Sequence, residues 1–255
     1  MSVNPKSPAD LPTMGFLEHL DELRSRLLWS LVAIGLAFAL ALTQAKTILE
    51  FLLRPIRPYL GAEKPVFIDL TEPFLLYMKV GFLASLFLAA PFVLYQIWAF
   101  IAPGLYPRER RYVVPFILFA TVFFVAGGAF GYSIGFPVAC RFLLGIAEGF
   151  QPALRISSLF AFESKIILGM ALVFELPTVI YFLARLGLIT PRFLWRNLPY
   201  AILIIFILAA VITPTPDVVT QCIFAVPMIL LYLLGILVAY IFGRPRMGPS
   251  EGGVS

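Results

Sequence analysis

Six long, mostly apolar stretches, divided by charged or proline-bearing segments, constrain this chain more than any other feature. They fall at about 27–43, 74–101, 113–137, 159–184, 199–213 and 220–242. A helix needs about 20 apolar residues to cross a hydrocarbon layer about 30 Å thick. Inside that layer no water can satisfy a backbone N–H or C=O, so a spanning segment must bond to itself. The pattern therefore predicts an all-α, polytopic membrane protein with six transmembrane helices. No Asn-Gly hairpin or long period-two alternation argues for a β-barrel. Composition excludes the soluble and disordered classes: 61% of residues are hydrophobic, 13% are charged and the mean hydropathy is +0.96, whereas a soluble domain is nearer half apolar and a quarter charged. Residues 1–242 read as a single six-span domain that opens with an amphipathic helix at about 14–26, and 243–255 as a short disordered tail.

Six spans put both termini on one side, and basic residues say which. With the N-terminus inside, the cytoplasmic segments carry Lys6, Arg24, Arg26, Arg108, Arg110, Arg111, Arg185, Arg192, Arg196, Arg244 and Arg246. The outer ones carry Lys46, Arg54, Arg57, Lys64, Arg141 and Arg155. The bias favours both termini in the cytoplasm. The net charge of +5 records this asymmetry rather than a nucleic-acid surface. Glu18, Asp21 and Glu22 precede the first apolar run, and no clean small-residue cleavage site follows it, so this is not read as a cleavable signal peptide.

The outer segments have content of their own. Within 44–73, Ile48, Leu49, Phe51, Leu52 and Leu53 predict a short helix on the outer membrane surface, ended by Pro55 and Pro58. Residues 138–158 form a second extracytoplasmic cap, and Thr213-Pro214-Thr215-Pro216-Asp217 a sharp hairpin. The fifth span is short, about 22 Å at 1.5 Å per residue. Pro91, Pro177 and Pro227 fall inside spans two, four and six and predict kinks.

Charges near or within lipid need a reason. Phe16, Leu20, Leu23 and Leu27 share one helical face, with Glu18, His19, Asp21, Glu22, Arg24 and Arg26 around it. That is an interfacial helix in which Glu22 and Arg26 pair at i, i+4, and His19 reads as an interfacial polar residue. In Pro103–Arg111 one carboxylate, Glu109, stands among Arg108, Arg110 and Arg111, either as a neutralised part of a positive-inside anchor or as an acceptor for a cationic partner. Glu175 lies in span four, two residues before Pro177, where a carboxylate costs about 2.5–3.5 kcal/mol at mid-membrane. It must face a cavity or find a partner, and Lys79 and Gln96 in span two are the candidates. Glu163 and Lys165, nearer the outer end of span four, are expected to snorkel.

Catalytic signals are missing: the sequence has no phosphate-binding G-x-x-x-x-G-K-[ST], no H-E-x-x-H and no G-x-S-x-G. The chain is read as a non-enzyme. No metal or other cofactor is expected, since there is one histidine and only Cys140 and Cys222 as thiols. Both cysteines lie near outer ends of spans and are read as small apolar residues rather than a disulfide.

The block Tyr95-Gln96-Ile97-Trp98-Ala99-Phe100-Ile101-Ala102-Pro103-Gly104-Leu105-Tyr106, followed by Glu109-Arg110-Arg111, resembles the hallmark of the TatC family, the polytopic core subunit of the twin-arginine protein translocase. Supporting pieces occur in the family's order: His19–Arg26, Glu72-Pro73-Phe74, Phe174-Glu175-Leu176-Pro177, and Thr213 through Asp217 to Gln221. The resemblance implies a receptor and scaffold for export of folded proteins whose signal peptides bear consecutive arginines, driven by the proton gradient, in the cytoplasmic (inner) membrane. It implies a concave, kinked bundle. It implies that Glu109 receives the arginine pair, with Glu22, Arg24 and Phe100 on the same surface. Glu175 matches an acid buried in the concave face. Thr213 and Gln221 match a polar cluster where single-span TatA and TatB partners dock in an oligomeric assembly surrounded by lipid, with no nucleic acid involved. One departure is Thr215, inserted between prolines that more often adjoin in the family. The alternative is a proton-coupled small-molecule transporter, motivated by Lys79 and Glu175, although no internal repeat supports it.

Overall fold

The computed structural model describes residues 16–60, 65–101, 113–146, 153–185, 187–213 and 217–243. The sequence's apolar runs become helices because each can satisfy its backbone internally while turning aliphatic side chains outward. The helices are α1 (Phe16–Thr43), α2 (Ala45–Leu52), α3 (Arg57–Leu60), α4 (Glu72–Ile101), α5 (Val113–Phe130), α6 (Phe136–Ile146), α7 (Ile156–Phe174), α8 (Leu176–Arg185), α9 (Pro191–Arg196), α10 (Leu198–Ile212) and α11 (Val218–Phe242). Five continuous segments, Leu20–Thr43, Glu72–Phe100, Ile117–Ile146, Ile156–Arg185 and Val218–Phe242, are long and apolar enough to cross a membrane, and the apolar α10 is a shorter sixth. The all-α, six-helix architecture is thus borne out. Phe16, Ile101, Arg185 and Phe242 mark the terminal end of the bundle, and Thr43, Glu72, Ile156 and Val218 the cap end.

Several elements differ in detail from the sequence-based expectation. The amphipathic lead-in and first span form one unbroken helix, α1, which packs on α4. The short helix after it, α2, does not rest its apolar face on lipid. Leu49 and Leu52 are buried against Leu76, Val80 and Leu83 of α4 and Phe160 and Ile167 of α7. Pro58 does not end a helix either; it sits in the first turn of α3, where its missing N–H has no partner to lose. The third apolar helix continues past 137 to Ile146 through a π-helical turn at Gly131–Gly135. The wider turn re-registers the ladder just before Pro137, so the proline falls near the start of α6 rather than in a helix interior. Thr190 accepts a hydrogen bond from Phe193 N at 3.2 Å and Pro191 follows it, which starts the short helix α9. Before it, Gly187 takes a left-handed φ of 74° and donates to Ala184 O at 3.1 Å, closing α8.

Pro177 has a larger effect than a bend. Lacking an N–H, it splits the fourth apolar segment into α7 and α8, with Glu175 at the break donating to Leu172 O at 3.1 Å. Pro91 and Pro227 stay inside α4 and α11.

The main core lies where α5, α6, α7, α10 and α11 meet, around the fully buried Phe136, Ile166, Met170, Phe224 and Met228. With lipid outside there is little hydrophobic drive between helices, so close backbone approach matters most. A Cβ on Gly127 would lie 2.6 Å from Met170 O and 2.8 Å from Ala171 Cα; one on Gly131 would lie 3.0 Å from Ile166 O. These small residues, four apart, let α5 and the π-helical turn after it press on α7. Gly127→Ala is expected to destabilise the bundle by about 1–3 kcal/mol through overpacking. Gly145→Ala, which would meet nothing within 4 Å, serves as the control, and thermal unfolding in detergent is the measurement.

Candidate functional site

The terminal end carries a polar contact between two helices that sequence alone could only half foresee. Glu22 and Arg26, one turn apart on α1, form the expected ion pair: Arg26 Nε donates to Glu22 Oε1 at 3.0 Å, and Nη2 donates to the same oxygen. The other oxygen, Oε2, is buried and has no hydrogen-bond partner among the described residues. Arg26 Nη1 reaches across to Gln96 Oε1 on α4 at 3.3 Å, and Ser30 Oγ donates to Arg26 O at 2.9 Å. Gln96 is buried. It lies one turn from the end of α4, so Glu22 sits level with the point where α4 leads into residues 102–112. Arg24 is exposed and Phe100 half-buried on the last turn of α4. Glu109 lies outside the described residues, as do Pro214, Thr215, Pro216 and the tail from 244.

Glu175 does not meet Lys79 or Gln96. Gln96 is engaged by Arg26, and Lys79 lines a separate groove of about 460 Å³ with Phe38, Phe82, Phe160, Ser164 and Leu168. The reason is depth. Lys79 is seven residues from the cap end of α4, whereas Glu175 faces Leu94 and Trp98 of that helix, at least about 22 Å further along at 1.5 Å per residue. Glu175 instead lines an apolar groove of about 320 Å³ between α4, α5 and α8, with Leu94, Trp98, Ala120, Val179 and Phe182. Its Oε1 is buried with no hydrogen-bond partner among the described residues. Trp98 and Phe182 meet edge to face at 5.5 Å. A carboxylate beside an open apolar channel can accept a donor from whatever lies in it, at a depth where few competitors exist.

Glu163 is a second correction. It does not snorkel: it is 0% exposed, and neither carboxylate oxygen has a partner among the described residues. It shares the inward face of α7 with Leu159, Ile166 and Met170, and helix face rather than distance from the end decides its environment. Lys165, two residues on, is exposed.

At the α10–α11 hairpin the polar groups are already bonded. Thr213 Oγ1 donates to Ala209 O at 3.0 Å and is buried, while Gln221 Nε2 donates across to Phe206 O at 2.7 Å. Asp217 caps α11 by accepting from Thr220 N at 2.7 Å, and the Thr220 hydroxyl also donates to it. Cys140 and Cys222 are both free thiols.

Sequence reasoning missed the clamp at the cap end. Val66 N donates to Leu154 O and Ile156 N to Val66 O, both at 2.9 Å, joining two connections as a single parallel bridge. Glu72, at the start of α4, accepts from Arg155 Nε at 2.9 Å, Ile68 N at 3.1 Å and Ser157 N at 3.2 Å, and Arg155 Nη2 also donates to Asp69 at 2.6 Å. The hydrogen bond to Glu72 is the main influence holding the Arg155 pKa above its usual value. The Glu72-Pro73-Phe74 triplet was the available signal, but its partner lies 83 residues away.

Comparison with known proteins accords with this arrangement. Residues 18–227 match the family profile described as "TatC: Sec-independent protein translocase protein (TatC)". Proteins named Sec-independent protein translocase protein TatC from Koribacter versatilis and Desulforapulum autotrophicum are similar. The first is 48% identical over 235 residues, covering 91% of this chain and 87% of the relative. The second is 41% identical over 238 residues, covering 92% and 88%. A solved structure titled "Crystal Structure of Twin Arginine Translocase Receptor- TatC" superposes with a TM-score of 0.79 at 35% identity, over 89% of this chain and all of that one. On these grounds the chain is a member of the TatC family of Sec-independent protein translocase proteins.

Proposed function

We propose that this chain is the core receptor and scaffold subunit of a twin-arginine translocase, binding signal peptides with consecutive arginines and organising proton-gradient-driven export of folded proteins. Its terminal end faces the cytoplasm, with both chain termini there, and it resides in the cell's cytoplasmic (inner) membrane. The carrying observation is Glu22, held beside the last turns of α4 with one acceptor oxygen buried and unpartnered among the described residues, while Glu109 follows Ile101, the last residue of α4, by eight positions in sequence. Planar guanidinium forks pair with carboxylates in a way a lysine point charge does not. Arg24 and Phe100 border the same edge. The apolar groove lined by Leu94, Trp98, Phe182 and Glu175 suits the hydrophobic part of a signal peptide. Thr213 and Gln221 mark the hairpin where single-span TatA- and TatB-type partners dock within an oligomer.

Glu109→Ala is expected to abolish crosslinking of a twin-arginine signal peptide while the chain still inserts. Crosslinking at the wild-type level in that variant would overturn the assignment. The solute-transporter reading gains no support, because Lys79 and Glu175, which motivated it, line different grooves and the relatives are translocase subunits.

A further inference from the structure

Arg26 already occupies the acceptor that an arriving arginine needs. Two of its guanidinium N–H groups lie on Glu22 Oε1, and the third nitrogen is tethered to Gln96 on the neighbouring helix. The pair is partly shielded, with side-chain exposures of 25% for Arg26 and 18% for Glu22. Both donors crowd one oxygen, while Oε2 stays buried and unpartnered among the described residues. This is not the fork-on-fork pairing a guanidinium prefers. Glu22 is therefore neutralised at rest, yet imperfectly.

We propose that Arg26 is an internal competitor for the cargo arginine: a signal-peptide guanidinium binds Glu22 bidentately by evicting Arg26, so that Arg26 sets the affinity threshold of the receptor. This rests on the reading of Glu22 as part of the peptide site. The exchange replaces a lopsided contact with a two-oxygen fork and satisfies Oε2. The evicted guanidinium, already one quarter exposed and level with the last turns of α4, is taken up by water. Without an incumbent, a half-shielded carboxylate would attract any cation, lysine-rich segments and amine headgroups included.

The eviction cost is common to every ligand, which makes the proposal sharply testable. Binding of a labelled Arg-Arg signal peptide and its Lys-Lys counterpart is measured on the full chain in lipid nanodiscs. Arg26→Gln is expected to tighten both peptides by a similar factor, about fivefold, leaving their ratio unchanged; fivefold corresponds to about 1 kcal/mol. Arg26→Lys, which keeps the charge but loses the fork and the Gln96 tether, is expected to fall between wild type and Arg26→Gln, and it gives the answer if the glutamine variant fails to fold. In a Glu22→Gln background, Arg26→Gln is expected to give no tightening. Unchanged or weaker Arg-Arg binding in both Arg26 variants would overturn the competitor role. Wild-type Arg-Arg affinity in Glu22→Gln alone would overturn the prior assignment of Glu22 to the peptide site, a separate failure.

Discussion

Glu72→Ala is expected to open the cap end of the bundle without unfolding its helices. The Glu72 side chain is 4% exposed and ties three things together: the backbone of the first connection at Ile68, the backbone of the second at Ser157, and the Arg155 guanidinium. Its position at the N-terminus of α4 adds the favourable end of the helix dipole. Alanine removes both acceptor oxygens at once, leaving the backbone donors of Ile68, Asp69 and Ser157 and a cation whose remaining acidic contact among the described residues is Asp69, itself 64% exposed. The loss falls on the backbone donors that Glu72 satisfied, whereas Arg155, 38% exposed, turns to water. The remaining side-chain tie across the two connections, Arg155 to Asp69, is solvent-exposed, so the two hydrogen bonds of the Val66–Arg155 bridge should fray. Hydrogen exchange at the Val66 and Ile156 amides is the direct readout: strong protection in wild type, little in Glu72→Ala, and an intermediate level in Glu72→Gln, which keeps one acceptor oxygen. Asp69→Ala should leave protection nearly intact. Unchanged exchange in Glu72→Ala would mean that the bridge stands without the carboxylate.

What could be read from sequence, and what could not, divides by distance along the chain. Apolar run length specifies helices because lipid allows few alternatives, and i, i+4 spacing was enough to pair Glu22 with Arg26. The start of α9 went unread although its signal is local: Thr190-Pro191 is a capping residue followed by a proline at the first helical position. The clamp of Glu72 on Arg155 was not legible, because nothing local in either segment names a partner on another connection. The supposed meeting of Lys79, Gln96 and Glu175 failed for a related reason: membership of neighbouring spans says nothing of depth, and depth separates Lys79 from Glu175. Arg26 reaching Gln96 needed the packing of α1 on α4, which no periodicity reveals. The roles attached to Glu22, Arg24, Phe100, Glu109, Thr213 and Gln221 came from family resemblance, not from spacing. A carboxylate among arginines at 108–111 reads, by spacing alone, as part of a positive-inside anchor.

Glu163→Leu is expected to raise stability, unusually for a change at a fully buried position. The side chain is 0% exposed with both oxygens unpartnered among the described residues, within electrostatic reach of Tyr132 and Cys140 and flanked along its helix face by Leu159, Ile166 and Met170. Burying a polar group without a hydrogen bond carries a penalty of about 1–3 kcal/mol, and leucine removes it while keeping most of the volume. Thermal unfolding of the purified chain in detergent should therefore shift upward for Glu163→Leu and move little for Glu163→Gln, which stays polar. A downward shift for the leucine variant would overturn the expectation that the buried carboxyl is a net cost at this position. Ionisable residues are rarely retained inside a membrane without a task, so the same variants should be assayed for export. A chain that is more stable and less active would show that the acid is kept at this position at a cost in stability.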